Sequence, residues 1–193
     1  MSESLWTAPA DELLRRTASA APTPGGGSVA AISGAFGVGL VLMAIAVTDD
    51  AALDAHRARG EAILERVVPA ADADVVDFRA VMAAYGLPRG DEAERAARTA
   101  AIQAASVDAT GTPLALVEAL VDALRLAAEV EPLVKRSIVS DVHAGADLVA
   151  GAARAAVRTA DINLVALERG DAPAAAGLRA RRDALVAALE EAA

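Results

Sequence analysis

Apolar positions recur at three- and four-residue spacing along nearly the whole chain, and the strict alternation of a half-buried strand never develops. That pattern predicts an all-α fold. A short amphipathic helix is expected from about Ala8 to Ala20, with Leu13 and Leu14 on its apolar side. The run from Ala21 to Gly27 (APTPGGG) cannot continue it, because its prolines and glycines break a helix. Ser28 is then the expected N-cap of a long apolar helix over Val29 to Val47, a stretch without a charge. A third helical stretch is expected from Asp50 to Tyr85, bent or split at Pro69 and stopped by a left-handed Gly86 ahead of Pro88. Asp91 reads as the cap of a fourth, charged helix ending near Thr110. Thr112 and Pro113 read as N-cap and first residue of a fifth, running to about Val130. Pro132 sets off a sixth from Leu133 to Arg169, and Pro173 a last one from Ala174 to Glu190. With no repeat and no linker-like stretch, the expectation is a single domain over residues 1–193. It is a bundle of about six or seven helices around long central apolar ones.

The uncharged Val29–Val47 segment is long enough to raise the question of a membrane span. Gly34, Gly37 and Gly39 dilute it, and Asp49–Asp50 closes it without a basic flank, so a buried core helix is the expectation. Composition narrows the function. The net charge of −9 opposes nucleic-acid binding. The absence of cysteine excludes thiol nucleophiles, zinc ribbons and disulfides, and suits a cytoplasmic home. Met1 to Ala10 shows no secretory signal pattern.

Few motifs carry chemistry. Gly25 to Ala30 formally fits a dinucleotide fingerprint, but a helix and Pro22-Thr23-Pro24 precede it where a strand is required. What remains is a glycine turn leading into a helix, whose unpaired N–H groups can receive a carboxylate or carbonyl, or a tight corner between two helices. His143 and Asp147 stand one helical turn apart, yet a third metal ligand is missing nearby, and no metal is expected. The third helical stretch is more informative. At about 100° per residue, Val67, Ala71, Phe78, Val81 and Tyr85 all fall within about 60° of Asp74. A carboxylate in the middle of an apolar stripe is costly unless paired or functional. Arg95 and Arg98 are the candidate partners in the paired case.

Pro22-Thr23-Pro24-Gly25-Gly26-Gly27-Ser28, the apolar helix after it, the stretch Asp74 to Pro88 (DVVDFRAVMAAYGLP) and Ser140-Asp141 together resemble the cyclodeaminase/cyclohydrolase family. The resemblance runs from about Trp6 to Glu168. It implies an all-α homodimer acting on a one-carbon folate in a groove between helices, with no cofactor beyond that substrate. The implied reaction is hydrolysis of 5,10-methenyltetrahydrofolate to 10-formyltetrahydrofolate, with formiminotetrahydrofolate cyclodeamination closely related. Asp74 corresponds to the family's catalytic aspartate; Gly25, Gly26, Gly27, Ser28, Arg98, Lys135 and Asp141 are the implied substrate-binding residues. The chain also departs from the family: DDAALD at 49–54 replaces a lysine-rich loop, Val134-Lys135 a Gly-Asn pair, and Thr159 an asparagine one turn before Asn163. These changes predict weak discrimination for long polyglutamate tails, unless Arg95, Arg98, Lys135 and Arg136 gather at the groove mouth. The alternative is a diverged, non-catalytic dimeric helical homologue that binds another small molecule or a partner protein. Asp141 and Asn163, about 33 Å apart along one continuous helix, cannot serve one site within a protomer.

Overall fold

The computed structural model describes residues 3–193, and among them seven α-helices and no strand. In chain order they are α1 (Ala10–Thr17), α2 (Gly26–Thr48), α3 (Asp54–Val67), α4 (Ala70–Tyr85), α5 (Glu92–Val130), α6 (Val139–Arg169) and α7 (Ala175–Ala192). The all-α bundle expected from periodicity is the observed fold.

Two long helices form its centre. α2 and α6 cross with their backbones almost touching, since a Cβ on Gly37 would come 2.7 Å from the Gly145 carbonyl oxygen. Glycine is required there for close approach. Gly34 lies under Leu120 of α5 in the same way, and Gly60 of α3 under Leu42. One continuous apolar core, from Leu5 to Leu189, joins α2, α5 and α6 to the shorter helices. Half of the most apolar window of α2 is inside the fold, so the candidate span is a central helix with one face covered. The segment before α1 is clasped to α4: Asp72 accepts from the Leu5 amide at 2.8 Å and from the Ser4 hydroxyl. Trp6 donates to the Val68 carbonyl.

Several local expectations change. Pro69 splits the third stretch, giving α3 and α4. Gly86 ends α4 in right-handed backbone (φ −79°), and the positive-φ residues among those described are instead Asp49, at the C-terminus of α2 (φ 54°), and Asp171, just after α6 (φ 48°). Ser28 does not cap α2. Gly25 does, and Ser28 sits in the first turn. The largest correction is at Pro113, which lies inside a continuous α5 where a helix start was expected. A proline at that position deprives the Ala109 carbonyl, four residues earlier, of its helical donor. Asn163 of α6 supplies a replacement, its amide donating to the Ala109 oxygen at 2.9 Å. The helix runs on because a neighbouring helix satisfies the group that proline leaves open.

Candidate active site

The site begins with the orphan amides of α2. Gly26, Gly27 and Ser28 form its first turn, so their N–H groups have no partner within the helix. Gly25, as N-cap, has no side chain to offer one. The carboxylate of Asp74 fills the place from α4: its Oδ2 accepts from the Ser28 amide at 2.9 Å and lies 2.7 Å from the Ser28 hydroxyl. That hydroxyl, with a single hydrogen, is shared between Asp74 and the Ala71 carbonyl at 3.0 Å. Ser28 is fully buried and positions the carboxylate. Gly27 makes the approach possible, because a Cβ there would overlap Asp74 Oδ1. None of these glycines has positive φ. The run exists at this point for proximity, and its turn receives a carboxylate of the protein itself.

The apolar stripe around Asp74 proves to be a pocket wall. The buried residues of α4 are Ala71, Val75 and Ala84, whereas Asp74, Asp77, Phe78, Val81 and Tyr85 line a cavity of about 360 Å³. Ser106 and Ala109 of α5, and Thr159, Ile162 and Asn163 of α6, form the other walls. Its size and its few polar groups on apolar walls suit a small organic ligand. Asp77 was not singled out by the sequence, where it falls at the edge of the stripe. Burial pushes its carboxyl above the usual carboxylate range, the hydrogen bond from Thr112 (2.5 Å) opposes this, and the charges of Asp108 and Asp74 add to it.

The expected basic partners do not reach Asp74. Arg95 donates to the Gly90 carbonyl, while Arg98 donates to the Tyr85 carbonyl and lies over the Tyr85 ring, 5.5 Å from its centre. Arg98 thus marks the outer end of the pocket. Lys135 lies elsewhere: its ammonium donates to the Val47 carbonyl at 2.8 Å, at the opposite end of α2. Ser28 and Val47 are about 28 Å apart along that helix. Asp141 stands on the first turn of α6 toward the same far end, and α6 continues unbroken past Asn163. The structure therefore brings Gly27, Ser28 and Asp74 together, sets Arg98 at the mouth, and leaves Lys135 and Asp141 outside this protomer's pocket. Residues 25–28 and Arg98 do not line it themselves; Gly27 and Ser28 back it through Asp74, and Arg98 through Tyr85.

A larger groove of about 770 Å³ runs between α5, α6 and α7, and Asp74 is not among the residues that line it. Four of its polar groups are already paired, Arg182 with Asp161 and His143 with Glu131. The smaller pocket at Asp74 holds two half-buried carboxylates, Asp74 and Asp77.

A family model described as formiminotransferase-cyclodeaminase matches residues 9–184. The chain belongs to that family. A methenyltetrahydrofolate cyclohydrolase from Methylorubrum extorquens is 37% identical over 161 residues, which cover 79% of this chain and 76% of the relative. The crystal structure of formiminotetrahydrofolate cyclodeaminase from Thermotoga maritima shares the fold, with a TM-score of 0.78 at 21% identity, over 98% of this chain and 93% of that one.

Proposed function

We propose that the protein hydrolyses 5,10-methenyltetrahydrofolate to 10-formyltetrahydrofolate, with Asp74 as the general base. It is an enzyme of one-carbon folate chemistry, and the observation that carries the specific reaction is the setting of Asp74. A carboxylate held through Oδ2 by Ser28 at the positive end of α2 also lines a ligand-sized cavity. The methenyl substrate is a cationic amidinium, and the pocket presents two carboxylates with no basic side chain among its lining residues. Water attacks the amidinium carbon while Asp74 takes a proton from it. Phe78, Val81 and Tyr85 offer flat, apolar surface for the ring system, and Arg98 at the mouth is placed for the glutamate tail. The M. extorquens relative favours hydrolysis over cyclodeamination. Purified protein titrated with the substrate should remove its absorbance faster than the spontaneous rate. Asp74→Asn should abolish most of that activity with helix content unchanged, and full turnover by the variant would sink the assignment.

A second copy of the chain is the proposed partner. Val29, Ser33, Phe36, Leu40, Met43 and Val47 recur at alternating four- and three-residue spacing on the uncovered face of α2, the pattern of a helix–helix seam. Phe36 is 64% exposed there. Gly39 of α2 has no neighbour within 4 Å of a Cβ built on it, which leaves room for a knob from the second copy. An antiparallel two-fold pairing would set the Lys135–Asp141 end of one copy beside the Asp74 pocket of the other. Ile162, 73% exposed, already joins that pocket to the open surface. Light scattering should find a dimer, and Phe36→Glu should convert it to monomer; a wild-type monomer at micromolar concentration would refute the pairing.

A further inference from the structure

The pocket wall carries a second carboxylate, Asp77, three residues beyond Asp74 on α4. Side chains at this spacing share one helix face, with Cβ atoms about 5–6 Å apart, so both acids border the same ligand volume. Their surroundings differ. Asp74 meets two donors of Ser28 at a helix N-terminus, whereas Asp77 meets a single neutral donor, Thr112 of α5. The charged groups acting on Asp77 are acidic, Asp74 on its own helix and Asp108 on α5. The α6 wall opposite contributes Thr159 and Asn163, neither of which titrates, and Tyr85 stands two turns away at the mouth. Burial and these two negative charges keep a proton on Asp77 to higher pH than on a free carboxylate. Two carboxyl groups in one site with environments this different divide naturally into a base and an acid.

We propose that Asp77 is the proton donor to the ring nitrogen that leaves during hydrolysis. This assignment rests on the hydrolase reading and adds the second half of its chemistry. As water attacks, its oxygen bonds to the amidinium carbon and one water proton passes to Asp74, leaving a neutral carbinolamine. The bond from that carbon to N5 then breaks, its electron pair stays on N5, and N5 takes the proton of Asp77. The carbinol hydroxyl becomes the formyl carbonyl by giving its proton to the carboxylate so formed. Asp77 ends protonated, as it began, and the one proton released overall leaves from Asp74.

The full chain, Asp77→Asn and Asp77→Glu are compared on methenyltetrahydrofolate across pH. Asn can still accept from Thr112, and circular dichroism checks that the helices persist. Asp77→Asn should lower kcat about 100-fold with KM within about twofold, and should remove the fall of kcat at high pH. Asp77→Glu should keep that fall and recover much of the rate. An infrared difference spectrum, wild type minus Asp77→Asn, should show a protonated carboxyl stretch at a pH where free carboxylates are ionised. If the wild type hydrolyses the substrate while Asp77→Asn keeps its kcat and its pH profile, the donor role is overturned and the hydrolase reading stands. If the wild type gives no rate above background, the hydrolase reading falls and the donor role falls with it.

Discussion

The two ends of α2 solve opposite electrostatic problems with the same backbone. At the N-terminus, amides without helical partners meet the carboxylate of Asp74 from α4. At the C-terminus, the Val47 carbonyl, equally without a partner in the helix, meets the ammonium of Lys135. Each end attracts the charge that its half of the macrodipole favours. The ends differ in enclosure. Asp74 is packed against Gly27 beside a cavity, while Lys135 lies exposed on the surface. One helix thus organises a pocket-forming end that holds a carboxylate and an open end where Lys135 stands beside Asp49 and Asp50. Charge alone does not make a site; an adjoining cavity does.

The N-terminal end should be the easier to break. Gly27→Ala forces a methyl group into Asp74 Oδ1, and the carboxylate cannot retreat without leaving Ser28. The expected cost is about 1–3 kcal/mol of stability together with most of the activity, read by thermal unfolding and by turnover. A variant as stable and as active as wild type would show that the close approach is unimportant.

Next in size is the wall of that same end. Asn163→Leu strands the Ala109 carbonyl beneath Pro113 and should cost about 1–2 kcal/mol. In a Pro113→Ala background the helix amide returns, and the same substitution should cost clearly less. Equal costs in both backgrounds would separate Asn163 from the proline.

A smaller effect concerns Asp77. Its folded-state pKa is raised, so the folded protein binds a proton more tightly than the unfolded chain does. The ionised group therefore costs stability above its folded pKa, and that cost vanishes once both states are protonated, below the ordinary aspartate range. Asp77→Asn should raise the melting temperature at neutral pH by about 1–3 °C, with the difference shrinking as pH falls toward 4. A destabilised variant at neutral pH would contradict the burial argument.

The C-terminal end should yield least. Lys135→Met removes one exposed contact at a helix C-terminus, worth about 0.3–1 kcal/mol. In the dimer proposed above it should also weaken substrate binding in a salt-dependent way, which a titration at two ionic strengths would detect.

Helix content and the breaks at APTPGGG and Pro69 were legible because proline, glycine and apolar periodicity act over a few residues. Asp74 was legible for the same reason, as a charge at the wrong phase of an amphipathic pattern. Pro113 misled, since its local meaning is a helix start and its actual environment contains Asn163, fifty residues on, well outside any sequence window. Asp77 stayed hidden because an acid at the edge of a stripe is ordinary until α5 buries it and Asp108 faces it.

By itself, then, the sequence determined the all-α class, the chief helix breaks and the anomalous carboxylate, all properties of backbone preference and side-chain phase. The tertiary structure decided which orphan groups meet. It sent Asp74 to the amides of α2, Asn163 to the carbonyl left open by proline, and Lys135 to the far end of the bundle. Such pairings depend on how helices distant in sequence cross, and their crossing is set by close backbone contacts like that of Gly37 with Gly145. No local pattern encodes that distance.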